Sequence, residues 1–319
     1  MITSLAPNIK DRQFKLIEKR VYRGRDFKTL LALVDKIQPM MRRNLAGGLK
    51  EFQKGINLYD IEELIANGKW QAINLNLIKW DELDIMLRNT LEKDFEHAIL
   101  QGGKVSKPFF EAAVRKIIPS ISEMAIPFSL KNPRIQAWKD SRLAFLKGKL
   151  KTDALGAVDR VIRLNWDKGL PPRAVSRLIR GSIGLNERQA VALSNYRNGL
   201  EKQGILGRKL DEMVGGYSDQ LIKQRADTIA WTETTNAINK GQMEVWEQAA
   251  EADLIDLNKT FKVWVALGDE IVCEICGELN GQEVAISESF HSEVTGEDYD
   301  SPSAHVSCRC MMDIKFKEE

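Results

Sequence analysis

From Asp11 to about Lys104, apolar residues recur three and four positions apart, as at Leu30, Leu31, Val34 and Ile37 and again at Ile61, Leu64 and Ile65. That spacing predicts amphipathic helices. Gly47-Gly48 and Gly102-Gly103 read as breaks between them. Between Trp80 and Leu100, one stripe of Leu83, Leu87, Leu91, Phe95 and Ala98 with charges between its members predicts a single helix. The lone His97 on it has no cysteine near it in sequence and reads as a surface or core residue.

Pro127, Asn132 and Pro133 mark a boundary. A second helical block follows, with Leu155 to Trp166 as one helix and Pro171-Pro172 as the first turn of another through Ala174, Val175, Leu178 and Ile179. Asn186 suits the N-cap of a helix carrying Ala190, Leu193, Tyr196 and Leu200. Ser218 is placed as the N-cap of a long helix from Asp219 towards Ala250, with Ile222, Ala226, Ile229, Ala230 and Ala237 on its apolar stripe.

Thr232-Glu233-Thr234-Thr235, with Asn236, Asn239 and Gly241, falls in the middle of that helix, where each such residue costs roughly half a kcal/mol relative to alanine. Side chains there are expected to hydrogen-bond neighbouring elements. Glu233, on the stripe itself, has no second carboxylate or nucleophile at useful spacing and is expected to be a buried hydrogen-bond partner. No catalytic residue is assigned.

After Asn258 the period becomes two: Phe261, Val263, Val265 and Leu267 on one face, Lys262, Trp264 and Ala266 on the other. Glu283 to Ile286 and Arg309 to Phe316 are further strands. The fold class is α+β, mostly helical, with a small C-terminal β-sheet segment. The organisation expected is a helical region over 1–135, a second helical part over 136–260 and a β segment over 261–319.

Charge adds a polarity that the net value of +2 hides. Residues 1–50 carry 12 basic and 4 acidic side chains and residues 101–200 carry 19 and 7, whereas residues 251–319 carry 5 and 16. A basic body with an acidic tail can bind an acidic partner through the body. No apolar run is long enough to span a bilayer. Lys10, Asp11, Arg12 and Lys15 stand where a signal peptide would be apolar, so no membrane is expected and the protein is placed in the cytoplasm or in a particle assembled there.

All four cysteines lie in the last 47 residues, and in a reducing compartment that clustering points to metal ligation. Cys273-x2-Cys276 can grip an ion from one tight turn, in which Gly277 is expected to supply a positive φ. After 28 residues, His305-x2-Cys308-x-Cys310 supplies the second half-site. Five donors compete for four places. The preferred set is Cys273, Cys276, His305 and Cys308, but Cys310 points the same way as Cys308 in an extended chain and can replace His305 or Cys308; His291 is a weaker candidate. A closed set leaves no place for water, so the ion, Zn2+, is expected to be structural. A small zinc site contributes roughly 10 to 16 kcal/mol, more than so small a sheet gains from its own core.

Arg225-Ala226-x2-Ile229-Ala230-x-Thr232-Glu233-Thr234-x2-Ala237-x-Asn239-x-Gly241, then Trp264, Asp269, Cys273-x2-Cys276, Leu279-x-Gly281 and His305-x2-Cys308-Arg309-Cys310, form an ordered series. Over about residues 150 to 315 it resembles the Mu F-like minor head protein family of tailed phages. The first 135 residues carry no matching motif. The resemblance implies a non-enzymatic protein of the phage head, present in few copies in the virion and assembled in the host cytoplasm. It implies a place at the portal vertex in head morphogenesis, DNA packaging or ejection. Its implied partners are the portal protein, the scaffold or major capsid protein, and double-stranded DNA bound without sequence preference. Many relatives lack the Cys273-x2-Cys276 equivalent, so the resemblance does not itself imply the zinc.

Two other readings compete. A zinc-containing nucleic-acid-binding protein or HNH-type nuclease would also be framed by Cys-x2-Cys, but needs a histidine base beside an acid, and His305 follows Ala304. A toxin fused to a head-protein domain would need a further catalytic domain, and the chain closes at Glu319 soon after Cys310.

Overall fold

Seven long helices precede the strands among the described residues, which in this computed structural model are 27–69, 72–73, 78–117, 126–166, 168–267 and 272–316. The helical signal between Asp11 and residue 26, and the motif residue Asp269, lie outside them. The helices are α1 (Phe27–Lys54), α2 (Leu58–Ala66), α3 (Trp80–Ile117), α4 (Pro133–Trp166), α5 (Pro172–Ser182), α6 (Glu187–Lys202) and α7 (Gly207–Glu251). Strand β1 (Thr260–Val265), the short helix α8 (Glu274–Leu279) and strands β2 (Glu283–Ala285), β3 (Phe290–Ser292), β4 (Glu297–Tyr299) and β5 (Met311–Phe316) complete the order. The fold is thus mostly helical with a small C-terminal antiparallel sheet. No helix among the described residues is long and apolar enough to cross a membrane.

The predicted stripes are the buried ones. Leu30, Val34 and Ile37 in α1, Ile61 and Ile65 in α2, and Leu83, Leu87, Leu91, Phe95 and Ala98 in α3 all lie in the interior, while His97 is exposed. Pro172 occupies the first turn of α5, and Asn186 caps α6 with a complete capping box to Gln189.

Two expectations from local signals are corrected. Gly47-Gly48 and Gly102-Gly103 do not interrupt helices but lie inside α1 and α3. At Gly102 the reason is steric: a β-carbon there would stand 2.4 Å from the carbonyl oxygen of Ile238, and one at Gly241 would stand 2.1 Å from that of Ile99. The two glycines let α3 and α7 approach backbone to backbone. Ser218 does not start a helix either, because α7 runs unbroken from Gly207 to Glu251. Its hydroxyl donates instead to the carbonyl of Gly181 at 2.7 Å, satisfying the end of α5.

The chain divides into two units. One takes the segment up to Gln38, Phe95–Ile135 and everything from Trp231 onward; the other takes Pro39–Asp94 and Gln136–Ala230. In the first, β1 is the centre of a three-stranded sheet ordered β2-β1-β5, with Val263 opposite Glu283 on one side and Asp313 on the other. Both faces of β1 are covered, since Lys262, Val263, Trp264 and Val265 are all buried. A two-stranded hairpin of β3 and β4 that period alone did not reveal packs Phe290 edge-on against Trp264, ring centroids 5.2 Å apart. Trp246, Trp264, Phe290, Met312 and Ile314 share one core with Cys276, Cys308 and Cys310.

Candidate metal centre

The first half-site is the start of α8. Cys273 is its N-cap, with Sγ accepting from the Cys276 backbone N–H at 3.4 Å. Gly277 is inside this helix and lacks the positive φ expected of it; Ser307, between His305 and Cys308, takes that conformation at φ 60°. The second half-site is the irregular segment leading into β5.

That segment is held by α7, residue by residue. Trp231 Nε1 donates to the Cys308 carbonyl at 3.1 Å, and Thr232 Oγ1 accepts from the Ser307 N–H at 3.0 Å. Asn236 Oδ1 accepts from the Ser303 N–H and hydroxyl. Asn239 Nδ2 donates to the carbonyls of Pro302 and Cys310, and Gln242 Nε2 to that of Met312. The polar run that is costly by helix propensity is therefore a template for residues 302–312, whose backbone groups could not be left unpaired in the interior. Glu233, Thr234 and Thr235 are buried beside it, with Thr235 bonded back to the Trp231 carbonyl.

The five predicted donors come together as two triads. Cys273, Cys276 and His305 form one, Cys276, Cys308 and Cys310 the other, with the donor atoms of each within 4.8 Å of one another. His305 Nε2 is 3.1 Å from Cys273 Sγ and 3.0 Å from Cys276 Sγ; Cys276 Sγ is 3.6 Å from Cys308 Sγ. Tetrahedral zinc with Zn–S of about 2.3 Å and Zn–N of about 2.0 Å has edges of roughly 3.5 to 3.8 Å. The sulfur pair already matches that edge, and the histidine stands slightly inside it. His291 is not part of the cluster: it lies on the hairpin, half exposed, with Nδ1 2.7 Å from Asp298 Oδ1.

His305 Nδ1 faces the carbonyl of Val306 at 2.9 Å, and since a carbonyl only accepts, the ring proton belongs on Nδ1. Nε2, with its lone pair, is then the atom turned to the sulfurs, the tautomer a metal requires. The electrostatics favour a cation as well. Hydrogen bonds from Cys276, Cys310 and His305 hold the Cys308 thiol well below its ordinary range despite burial. Cys276 is pushed up by its bond to Cys308, then by Cys310 and burial. Cys310 is pushed up by Cys308 and burial, against the bond from Cys276. His305 is raised to about 9, mainly by Cys308. An ion bound by this set would take the neutral imidazole and deprotonated thiols, so its binding would release protons.

The α7 template and the closing Cys/His segment lie within residues 193–313, and that stretch matches the family model described as Phage Mu protein F like protein. Residues 193–313 are similar to that family. The match begins inside α6, later than the motif series suggested, and covers less than half of the 319 residues. No curated protein and no solved structure matches the chain. The matched segment holds all five candidate metal donors and the whole of α7, including its template face.

Proposed function

We propose that this protein is a minor head protein of a tailed phage that docks at the portal vertex and acts in head morphogenesis, DNA packaging or ejection. The match of residues 193–313 to the Mu F-like family carries this reading. The role is structural and not enzymatic. His305, the one histidine of the cluster, has its Nε2 between two cysteine sulfurs and not beside an acid, so it is engaged as a ligand would be and not as a nuclease base. Its segment closes round one structural Zn2+ drawn from Cys273, Cys276, His305, Cys308 and Cys310. The portal protein is the main partner, with scaffold or major capsid protein as further contacts. The lysine- and arginine-rich stretch of residues 101–200 gives non-specific double-stranded DNA a second place to bind, through phosphate contacts that weaken steeply with salt.

Co-sedimentation tests this directly. The protein should travel with purified proheads or with portal rings on a gradient, at a few copies per particle. Its absence from proheads and virions at every stage would refute the reading. Metal-dependent plasmid nicking that is lost on His305→Ala would favour the nuclease instead.

A further inference from the structure

We propose that the cleft of about 390 Å³ between Lys50 of α1, Arg177 and Arg180 of α5, and Arg197 of α6 is a binding site for a single phosphate group. It lies wholly within the unit made of Pro39–Asp94 and Gln136–Ala230. The proposal stands apart from the head-protein reading and from the metal centre.

Charge pairing around the cleft leaves one arginine over. Lys54 also lines it, making five basic groups. Four have an acid: Lys50 pairs with Asp219 at 2.6 Å, Lys54 with Glu51 at 2.7 Å, Arg197 with Glu201 at 2.6 Å, and Arg177 with Asp211. Arg180 has none among the described residues. The groups that act on it are burial and the like charge of Arg177, and both lower its pKa. Helix-end carbonyls do not make up the deficit: that of Gly181 is taken by Gln53 Nε2 and Ser218 Oγ, and that of Ile183 by Gln53.

A partly buried guanidinium with no acid beside it leaves positive charge at the cleft that an external anion can complete. Arg177 and Arg180, three apart on one helix, stand on the same face. Their planar forks suit an oxyanion that accepts several hydrogen bonds at once. The cleft falls in the size range of small-ligand sites. It is too small to admit a duplex, so the phosphate is free, carried by a nucleotide, or at the end of a strand.

Isothermal titration calorimetry on the full, metal-loaded chain at matched ionic strength tests this with inorganic phosphate, dAMP, a duplex lacking terminal phosphates, and acetate. Inorganic phosphate and dAMP should bind saturably and acetate should not. Arg180→Gln should weaken phosphate binding about tenfold or more. Arg180→Lys should recover part of the loss. Arg208→Gln, which alters an exposed arginine outside the cleft, should bind as the parent does. Arg180 has no acid beside it among the described residues, so Arg180→Gln should melt no lower than the parent without phosphate. The proposal is overturned if acetate equals phosphate, if Arg180→Gln and Arg208→Gln respond alike, or if only the duplex binds. A larger response to dAMP than to inorganic phosphate would assign the cleft to a nucleotide, and an equal one to the free ion.

Discussion

The side-chain amide of Asn239 in α7 donates to the backbone carbonyl of Cys310 at 3.3 Å across 71 positions of sequence, and the same nitrogen reaches the Pro302 carbonyl at 3.0 Å. One buried residue on the long helix thus secures both ends of the loop that carries His305, Cys308 and Cys310. The second half of the metal centre is positioned by the helix before any ion arrives.

Asn239→Ala should therefore be costly. It strips two buried carbonyls of a donor, and the expected loss is about 2 kcal/mol or more. Urea unfolding of the metal-loaded protein, followed by tryptophan fluorescence, measures it. A midpoint equal to that of the parent would show that the template contributes no stability.

Cys276 is the one donor common to both triads. The parent, purified without chelator, should hold one zinc per chain by metal analysis, and Cys276→Ser should bring that down to background. Retention of a full equivalent by Cys276→Ser would mean that the ion is held elsewhere. Chelation of the parent should unfold the C-terminal segment selectively, leaving the helical circular dichroism of α1 to α6 nearly intact.

Two glycines of α7 should respond in opposite directions. Gly241→Ala would force a β-carbon to 2.1 Å from the Ile99 carbonyl oxygen and should destabilise by about 1 to 3 kcal/mol. Gly216 is helical and has open space around its β-carbon position, so Gly216→Ala should stabilise by up to about 1 kcal/mol. Thermal melts of the two variants beside the parent decide the matter. Equal shifts would contradict the close crossing of α3 and α7.

Lys262 is buried in β1, with Nζ donating to the Asp300 carbonyl at 2.7 Å and lying 5.3 Å from the Phe290 ring centroid. Burial lowers its pKa from the ordinary 10.5 to about 8. Between those values the unfolded chain binds the proton and the folded one does not, so stability should rise with pH from about 8 to 10.5. Below 8 both states are protonated and the cost of burying the charge is fully present. Lys262→Met should flatten this window in denaturant titrations at successive pH values. An unchanged slope would assign the dependence to other groups.

Much of this molecule is legible from residue order alone. The stripes of α1 to α3, the prolines opening α5, the Asn186 cap, the alternation of β1 and the five candidate metal donors are local signals, written in neighbours a few positions apart. Spacing could identify Cys273-x2-Cys276 and His305-x2-Cys308-x-Cys310 because short turns limit what such donors can reach. What the tertiary structure decided is everything that depends on a partner far away in the chain. Gly102 looks like a break, and Gly241 like a costly helix residue, until two backbones are seen to meet at them, and Ser218 looks like a cap until Gly181 is seen to need a donor. The Thr232–Asn239 run contradicts helix propensity locally because its hydrogen bonds go to residues 302–312, and the missing acid beside Arg180 becomes visible only when every neighbouring charge is paired. Local propensity is a matter of fractions of a kcal/mol, whereas an unpaired buried carbonyl or a backbone collision costs more, so the distant contact prevails.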